Sequence, residues 1–362
     1  QRRAEHEAWW TAFWERSQIL IRDRADGSRK GVASSAMEVA RGYNLQRFIT
    51  ACAGRGAFPI KFNGSIFVMP TPDKPGDADY RRWGPGYWWQ NSRLPYISAC
   101  AAGDYDLLQP FFNMYAGEVF KVCEYRTKHY LGIEGAYFPE CIYPWGAVFA
   151  ETYGWTETAA MRQDKLQTSG WHKWEWVCGL ELVFMMQDYY EHTDDRRFLT
   201  ERVIPVALPV LKFFANHYRT DANGKLVMHP SQSAETWWDC TNPMTEVAGL
   251  HAVIDRLLEL PDEVLTAADR TFVSTLKAAV PPLPTVHAHG VDMLAPAERF
   301  ADKQNCENPE LYAVFPFRLV SFEKANAALG RNALLHRADR GTNGWRQDDL
   351  FMTYLGLADD AK

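Results

Sequence analysis

Apolar side chains recur at intervals of three and four residues along most of this chain, a spacing that places them on one face of a helix. Trp171, Trp174 and Cys178, for example, fall on a single helical face. The same spacing predicts helices over residues 33–53, 104–131, 171–192, 195–219, 244–260, 262–279, 320–335 and 345–358.

Residues that begin, end or break helices mark several of these boundaries. Asp104 is a candidate N-cap for the second helix, and Gly132 follows its last turn. Pro205 and Pro209 are expected to bend or interrupt the helix over residues 195–219, because proline removes a backbone donor and clashes with the preceding turn.

Long segments rich in glycine, proline and aromatic residues separate the helices, at residues 54–90, 132–155, 221–243 and 281–309. Loops of this length in a compact domain are usually functional. Alternation typical of strands is limited to short pieces such as 60–69 and 225–229. The pattern predicts an all-α fold of helical hairpins, either an (α/α) toroid or an open α-solenoid. The toroid is favoured because its loops converge on one funnel, with residues 1–30 as a linker or leading helix and 31–362 as the toroid.

Composition narrows the class of protein. Of 362 residues, 47% are hydrophobic and 23% are charged, which is typical of a folded protein rather than a disordered chain. The net charge of −6 argues against a nucleic-acid partner, and no apolar run approaches the roughly 18 residues that span a membrane. The seven cysteines form no C-x-x-C pair, and the chain lacks P-loop, dinucleotide-binding and H-E-x-x-H motifs. We therefore expect no metal and no cofactor.

The chain is rich in aromatic residues, with 14 Trp, 16 Tyr and 20 Phe. Tryptophans occur in pairs at residues 9–10, 88–89 and 237–238. Most of these side chains must pack in a core. Loop tryptophans beside carboxylates and amides also fit a sugar-binding cleft, because the apolar C–H faces of sugar rings stack on flat aromatic rings.

The strongest candidate for chemistry is Glu235, in the segment PSQSAETWW at residues 230–238. A carboxyl group packed against tryptophan is desolvated, which raises its pKa, and a raised pKa suits a general acid near neutral pH. The alternative is a surface glutamate beside two buried tryptophans. Trp237 is a candidate substrate-binding residue in the same segment.

A second candidate segment, residues 83–93, has the sequence WGPGYWWQNSR. Its amides can orient a water molecule or a sugar hydroxyl, and Asn91 is the candidate for positioning a catalytic water. The candidate substrate-binding residues here are Trp88, Trp89, Gln90 and Arg93. The alternative is a helix start capped by Asn91 or Ser92.

Two acidic segments can supply a second carboxylate. Glu307 and Glu310 flank a proline turn, and Asp348 and Asp349 lie near a predicted helix start. The alternatives are a solvated turn for the first pair and stabilisation of the helix dipole for the second. Asp348 is the candidate catalytic base within the chain, and Glu310 and Trp345 are candidate substrate-binding residues.

From about residue 55 onward, several segments resemble, in their order, the catalytic domain of glycoside hydrolase family 95. That family contains α-L-fucosidases and α-L-galactosidases on an (α/α)6 barrel. Residues 230–235 (PSQSAE) are similar to its P-S-x-S-P-E segment, which is the most specific match. Residues 55–64, 91–96 and 188–199 resemble its R-P…P-A-N-L-Q-G, N-T-E-M-N-Y and W-E-H-Y-x-x-T-G-D-x-x-F-L segments. The resemblance implies that Glu235 is the general acid, the role that the residues themselves indicate.

The chain departs from the family pattern in several places. Asn91 matches the second asparagine of the family's N-x-N pair, whereas Trp89 stands at the first. Residues 308–311 (NPEL) stand in place of an H-R-H-x-S-H-L segment that contacts the deoxysugar, and Glu310 takes the position of a histidine. Residues 344–345 match a G-W-S helix start, but the family's base lies in a D-G-N-F-G motif beyond the last residue here. The resemblance therefore does not extend to fucose specificity.

About five helical hairpins are predicted where the barrel needs six, so the chain is expected to be part of a catalytic domain. The resemblance implies flanking β-domains in the parent protein and an extracytoplasmic location, secreted or periplasmic. The sequence as given starts at Gln1, and its first residues are not expected to form a signal peptide, since a basic segment followed by an apolar stretch is missing there.

The sequence thus predicts an inverting, exo-acting glycosidase on an (α/α) toroid, with an oligosaccharide or polysaccharide as substrate. Glu235 would point into the funnel and protonate the leaving oxygen, and a carboxylate across the cleft would activate water. Two alternatives remain open. One is a polysaccharide lyase on the same toroid, in which Arg93 neutralises a uronate, and the other is a non-catalytic carbohydrate-binding protein.

Overall fold

The computed structural model describes residues 1–21, 35–60, 86–148, 170–340 and 347–361. Helices account for most of this part of the chain, together with a few short strands. The predicted helical character is therefore confirmed. The chain divides into two compact units, residues 1–115 and 116–362. Among the helices in the described ranges, none is both long and apolar enough to cross a membrane.

The first unit is built around an aromatic core. Its elements are helices α1 (Arg2–Arg16), α2 (Ser35–Ala53), α3 (Trp89–Ser92), α4 (Ala99–Ala102) and α5 (Tyr105–Asn113), strand β1 (Tyr87–Trp88) and a 3-10 turn at Leu94–Tyr96. Phe13 from α1 is fully buried in a cluster with Ala51 and Leu107. Trp9 stacks on the Phe13 ring with centroids 5.2 Å apart.

Asp104 precedes α5, but its side chain makes no capping hydrogen bond, contrary to the prediction. Its carboxylate instead accepts hydrogen bonds from Nε and Nη2 of Arg47, at 2.8 and 2.7 Å. The Arg47 guanidinium also lies over the Phe13 ring, 4.2 Å from its centroid. Because a buried carboxylate requires a charged partner, the ion pair takes the oxygens that a cap would have used.

The second unit contains most of the helices. They are α6 (Phe120–Arg126), α7 (Val177–Thr193), α8 (Arg196–Phe198), α9 (Ile204–His217), α10 (Met244–Glu259), α11 (Ala267–Ala279), α12 (Ala327–His336) and α13 (Asp348–Tyr354). Helix α10 packs against both α7 and α11. Leu180 of α7 and Leu250 and Val253 of α10 are fully buried. The core of this unit therefore contains the α7 and α10 pair.

The helix predicted over 104–131 is broken in the structure. Between α5 and α6 lies a wide π-helical turn, Met114–Val119, in which Gly117 has the non-helical angles φ −110° and ψ −112°. A second such turn, Thr127–Leu131, follows α6. Gly132 then ends the helix in the left-handed conformation (φ 72°), which confirms the predicted terminator.

The prolines of α9 do not interrupt it. Pro205 lies in the first turn, where a missing backbone donor is tolerated, and α9 continues through Pro209 to His217. The irregular π-helical turn precedes α9, at Leu199–Val203. The last two helices are shorter than predicted, because residues 320–326 form turns before α12 and α13 ends at Tyr354.

The largest difference from the prediction is a three-stranded antiparallel sheet in segments that the sequence predicts as loops. Its strands are β5 (Ser231–Ser233), β6 (Trp237–Pro243) and β9 (Ala297–Lys303), in the order β5-β6-β9. The sheet joins the segments 221–243 and 281–309, since Trp237 pairs with Lys303 and Pro243 with Ala297.

Two small hairpins accompany this sheet, one before β5 and one between β6 and β9 in the sequence. Strands β3 (Arg219–Thr220) and β4 (Leu226–Val227) pair antiparallel, and β4 lies within the strand piece predicted at 225–229. Strands β7 (Thr285–Ala288) and β8 (Val291–Leu294) form the second hairpin. A further short strand, β2, covers Cys141–Ile142. Most of the strand piece predicted at 60–69 lies outside the described residues.

Candidate active site

Glu235 lies in the turn that connects β5 to β6. Ser233 and Trp237 form the last strand pair before this turn, and Ala234 adopts the left-handed conformation with φ 49°. The chain that follows β9 runs beside the same turn, because the Gln304 N–H donates to the Thr236 carbonyl at 2.8 Å. The sheet therefore places Glu235 next to residues 304–307, about 70 positions later in the chain.

The Glu235 side chain is half-buried, and one of its oxygens is held by an amide. Asn305 Nδ2 donates to Glu235 Oε2 at 3.0 Å, while Asn305 Oδ1 accepts the Cys306 N–H at 2.9 Å. The second contact fixes the orientation of the amide, so that its NH₂ group faces the carboxyl group. Because the carbonyl oxygen of a neutral carboxyl group is the better acceptor, this hydrogen bond favours the acidic proton of Glu235 on Oε1.

The surroundings of Glu235 favour its protonated form. Burial, followed by the negative charge of Glu307, raises the pKa of Glu235 to about 8, while the hydrogen bond from Asn305 acts in the opposite direction. A carboxyl group with this pKa carries its proton at neutral pH. Glu235 can thus act as a proton donor there, as a general acid must.

Glu307 is held beside Glu235 by the buried Thr236. Its backbone N–H donates to Thr236 Oγ1 at 3.1 Å, and Thr236 Oγ1 donates back to Glu307 Oε2 at 3.1 Å. Glu307 is half-buried and adjoins a cavity. Of the four carboxylates considered as bases from the sequence, Glu307 is the one whose charge acts on Glu235.

Glu175 interacts with this pair, and two further glutamates interact with Glu175. Glu175 is 1% exposed, and its pKa is raised well above the usual range by burial and then by the charges of Glu140, Glu307, Glu235 and Glu246. Glu140 and Glu246 are equally buried. Neutral carboxyl groups are the form that such a site favours, since several charges cannot be buried together in a low dielectric.

Glu246 connects this cluster to the helices. It lies in the first turn of α10, and its Oε1 accepts the Trp176 N–H at 3.0 Å while Thr245 bonds its other oxygen. Burial raises the pKa of Glu246 to about 7. The residues around Trp176 are thereby tied to the start of α10.

A single buried amide, Gln232, explains why α7 begins at Val177 rather than at the predicted residue 171. Gln232 Nε2 donates to the carbonyls of Gly170 and Trp171 at 2.8 and 3.1 Å. Gln232 Oε1 accepts the Trp174 N–H at 2.7 Å, and the Gln232 N–H donates to the Trp174 carbonyl at 3.2 Å. The side chain thus takes backbone groups that a helix would have used, and residues 170–174 form turns.

Trp237 is half-buried and lines a cavity of about 150 Å³ on the second unit. Its ring packs edge-on against Phe300, with centroids 4.9 Å apart. Glu307 and Glu310 line the same cavity. Burial raises the pKa of Glu310 to about 7, to which the nearby charge of Asp339 adds. The structure therefore brings together three of the side chains singled out in the sequence.

Asp348 occupies a different environment. It is 1% exposed at the start of α13, and Nη2 and Nε of Arg337 donate to its Oδ2 at 2.8 and 3.2 Å. Asp349, next to it, is exposed, and Trp345 lies outside the described residues. The assignment of Asp348 as base stays a prediction, and in this structure its carboxylate neutralises Arg337.

The segment with Asn91 belongs to the first unit. Trp89 is 1% exposed and packs edge-on against Tyr115 with centroids 5.1 Å apart, so that it serves the core of this unit. Trp88, Gln90 and Arg93 are also buried, whereas Asn91 is half-buried. Helix α3 begins without a side-chain cap, which excludes the capping alternative at that position. The predicted water-positioning and sugar-binding roles in this segment stay predictions.

Sequence reasoning missed Glu175, Thr236 and Asn305. Thr236 and Asn305 are neighbours of residues that it did select, so proximity to Glu235 and Glu307 was the available signal. Glu175 gave a misleading signal, because it stands between Trp174 and Trp176 in a pattern typical of a helix face.

One comparison with known proteins agrees with the resemblance described above. The model of the glycosyl hydrolase family 95 catalytic domain matches residues 90–360. A search of curated proteins gave no match. Among solved structures, a putative kojibiose phosphorylase from the human microbiome aligns at 12% identity with a TM-score of 0.47, over 70% of this chain. The aligned part is 32% of that structure, so the chain spans about a third of its length.

Proposed function

Because the chain belongs to the glycosyl hydrolase family 95 catalytic domains and is thus a carbohydrate-active domain, we propose that it cleaves glycosidic bonds with Glu235 as the general acid. The observation that carries this proposal is the environment of Glu235, which is partly buried beside Glu307 and hydrogen-bonded by the Asn305 amide. Its pKa of about 8 keeps the proton in place at neutral pH, and its half-buried position leaves it open to a substrate. The proton would pass from Oε1 to the glycosidic oxygen as the bond to the sugar breaks.

Glu307 is the carboxylate that the geometry favours as the partner of Glu235. It is held by Thr236 and lines the cavity next to Trp237, where a water molecule would have to bind. In an inverting mechanism the partner removes a proton from water, and water then attacks the sugar from the face opposite the leaving group. We also propose that cleavage inverts the anomeric configuration, that it acts on a terminal sugar, and that the helices of this chain form part of a six-hairpin toroid.

The substitution Glu235→Gln tests the acid role. It preserves the shape of the side chain and the acceptor for Asn305 but removes the proton. We expect kcat/KM on a glycoside with a sugar leaving group to fall by roughly 10²–10⁴, the usual contribution of general acid catalysis. Glycosyl fluorides should be cleaved at nearly the original rate, because fluoride leaves with little protonation.

Asp239→Asn provides the matched control. Asp239 lies in the same strand, β6, and its carboxylate pairs with Arg299 on the surface at 3.2 Å. The control should retain activity on both substrates. Equal losses on glycoside and fluoride in the Glu235→Gln variant would contradict the acid role, and the anomer released, followed by NMR, decides between inversion and retention.

A further inference from the structure

Trp238 is hydrogen-bonded to the main chain of Glu235, and Trp171 packs against Trp238. Trp238 Nε1 donates to the Glu235 carbonyl at 3.0 Å, and the Trp238 ring meets the ring of Trp171 edge to face, with centroids 5.0 Å apart and planes at 84°. Trp238 is half-buried, and Trp171 is 38% exposed. An aromatic surface is therefore open to solvent next to the candidate acid.

Trp171 is held rigidly, although it lies on the surface. The fully buried Gln232 donates to the carbonyls of Gly170 and Trp171 and accepts the Trp174 N–H, so that its whole side chain is committed to this one turn. A Cβ atom at Gly170 would approach the Trp238 ring to 2.8 Å, which shows how closely the turn packs on that ring. A surface ordered in advance binds a ligand at a lower entropic cost than a mobile one.

A contribution to the hydrophobic core does not account for this arrangement. Trp176, five residues later, shows what a core tryptophan looks like in this unit. It is 2% exposed, and its Nε1 donates to the Tyr218 hydroxyl at 2.8 Å. Trp171 instead keeps more than a third of its surface in water, while a buried amide fixes its backbone. That combination is typical of a binding surface, where aromatic rings supply contact area in a fixed geometry.

We propose that Trp171, supported by Trp238, is the stacking platform for the sugar on the leaving-group side of the bond that Glu235 cleaves. The inference rests on the proposed function. A general acid protonates the oxygen that departs with the leaving group, so an aromatic surface attached to the acid is placed to contact the leaving sugar. The apolar C–H face of the leaving sugar would pack on the Trp171 indole.

The test compares substrates that share a sugar but differ in leaving group. A panel of disaccharides and 4-nitrophenyl glycosides of L-fucose, L-galactose, D-galactose and D-glucose first identifies a cleaved sugar, and the corresponding glycosyl fluoride is then prepared. For Trp171→Ala we expect KM on the disaccharide to rise about two- to tenfold, the size of one lost aromatic contact. KM on the fluoride should not change, because fluoride occupies no sugar subsite.

Two variants serve as controls. Trp171→Phe retains a flat ring and should restore most of the affinity for the disaccharide. Phe322→Ala removes another exposed aromatic side chain, which is 55% exposed, and should leave both KM values unchanged. An equal rise in KM on the disaccharide and the fluoride for Trp171→Ala would overturn the platform, because it would indicate general damage to the site.

The design separates failure of the platform from failure of the acid. If Glu235→Gln loses disaccharide cleavage while Trp171→Ala keeps the original KM, the platform is wrong and the acid stands. If Glu235→Gln cleaves the disaccharide normally, the acid is wrong. A KM that then rises on the disaccharide alone in Trp171→Ala would still support a platform for the leaving sugar, and an unchanged KM would overturn it. If no sugar of the panel is cleaved, calorimetric titration of the same disaccharides into the original protein and Trp171→Ala decides, and equal affinities or no binding would overturn the platform.

Discussion

Glu235 combines two requirements that oppose each other. A general acid must hold its proton at neutral pH and must still meet the substrate. Burial and the charge of Glu307 raise its pKa to about 8, while the turn between β5 and β6 leaves the residue only partly buried. The residue therefore owes its raised pKa first to burial and then to a neighbour that comes from a distant part of the chain.

The pH dependence of activity follows from this pair. Cleavage requires protonated Glu235, so kcat/KM should fall as pH rises through about 8. In Glu307→Gln the like charge is absent, the pKa of Glu235 falls, and the basic limb of the profile should move to lower pH. The measurement is kcat/KM from pH 5 to pH 10 on a glycoside with a sugar leaving group, whose departure needs the proton of Glu235, at whatever rate the variant retains.

The Asp239→Asn variant is again the reference, since its carboxylate pairs with Arg299 and does not act on Glu235. A basic limb that stays in place in Glu307→Gln would show that burial alone sets the pKa of Glu235. A shift to higher pH would contradict the assigned sign.

Glu235 could be predicted from the sequence, because its motif stands in a polar segment beside two tryptophans. Glu175 could not, because its interactions with Glu140 and Glu307 join residues far apart in the chain. Asp348 was selected for its position near a helix start, but its charge partner, Arg337, depends on how α12 and α13 pack.

At the scale of elements, helices were predicted well where packing is regular and poorly where a side chain competes for the backbone. Helix α10 is close to its predicted range, since its apolar face packs on α7. The start of α7 was wrong because Gln232 takes the backbone groups of residues 170–174. The sheet β5-β6-β9 was missed because its strands are short, irregular at Ser231–Ser233 and paired across about 60 residues.

Close packing between α7 and α10 makes Gly249 a sensitive position. A Cβ atom there would lie 2.8 Å from Phe317 Cζ and 2.9 Å from Leu180 Cβ. We therefore expect Gly249→Ala to destabilise the protein by roughly 1–3 kcal/mol, the usual cost of overpacking a core. Thermal unfolding should show a lower Tm.

Gly42→Ala is the matched substitution in α2, because a Cβ atom there meets nothing within 4 Å. It should stabilise the protein by roughly 0.5–1 kcal/mol through helix propensity. A neutral or stabilising effect of Gly249→Ala would contradict the close approach of α7 and α10.

On the scale of the whole molecule, buried carboxyl groups concentrate in the second unit. Burial raises the pKa of Glu246 and of Glu310 to about 7, and that of Glu235 reaches about 8 with the charge of Glu307. Glu175 is shifted in the same direction. These groups bind protons more tightly in the folded chain than in the unfolded chain, so folding is coupled to proton uptake.

The coupling predicts an unusual dependence of stability on pH. For a carboxyl group whose pKa is raised on folding, the stabilising contribution is complete below the unfolded pKa and is lost as pH rises through the folded pKa. Stability should therefore decrease between about pH 4.5 and pH 8, by up to roughly 1.4 kcal/mol per pH unit for each such group.

Glu246→Gln isolates one group, because an amide can still accept the Trp176 N–H. We expect Tm of this variant to vary less with pH than that of the original protein and to exceed it at pH 8. Urea unfolding at a series of pH values measures the slope, and an unchanged slope in Glu246→Gln would show that this carboxyl group is already ionised in the folded protein.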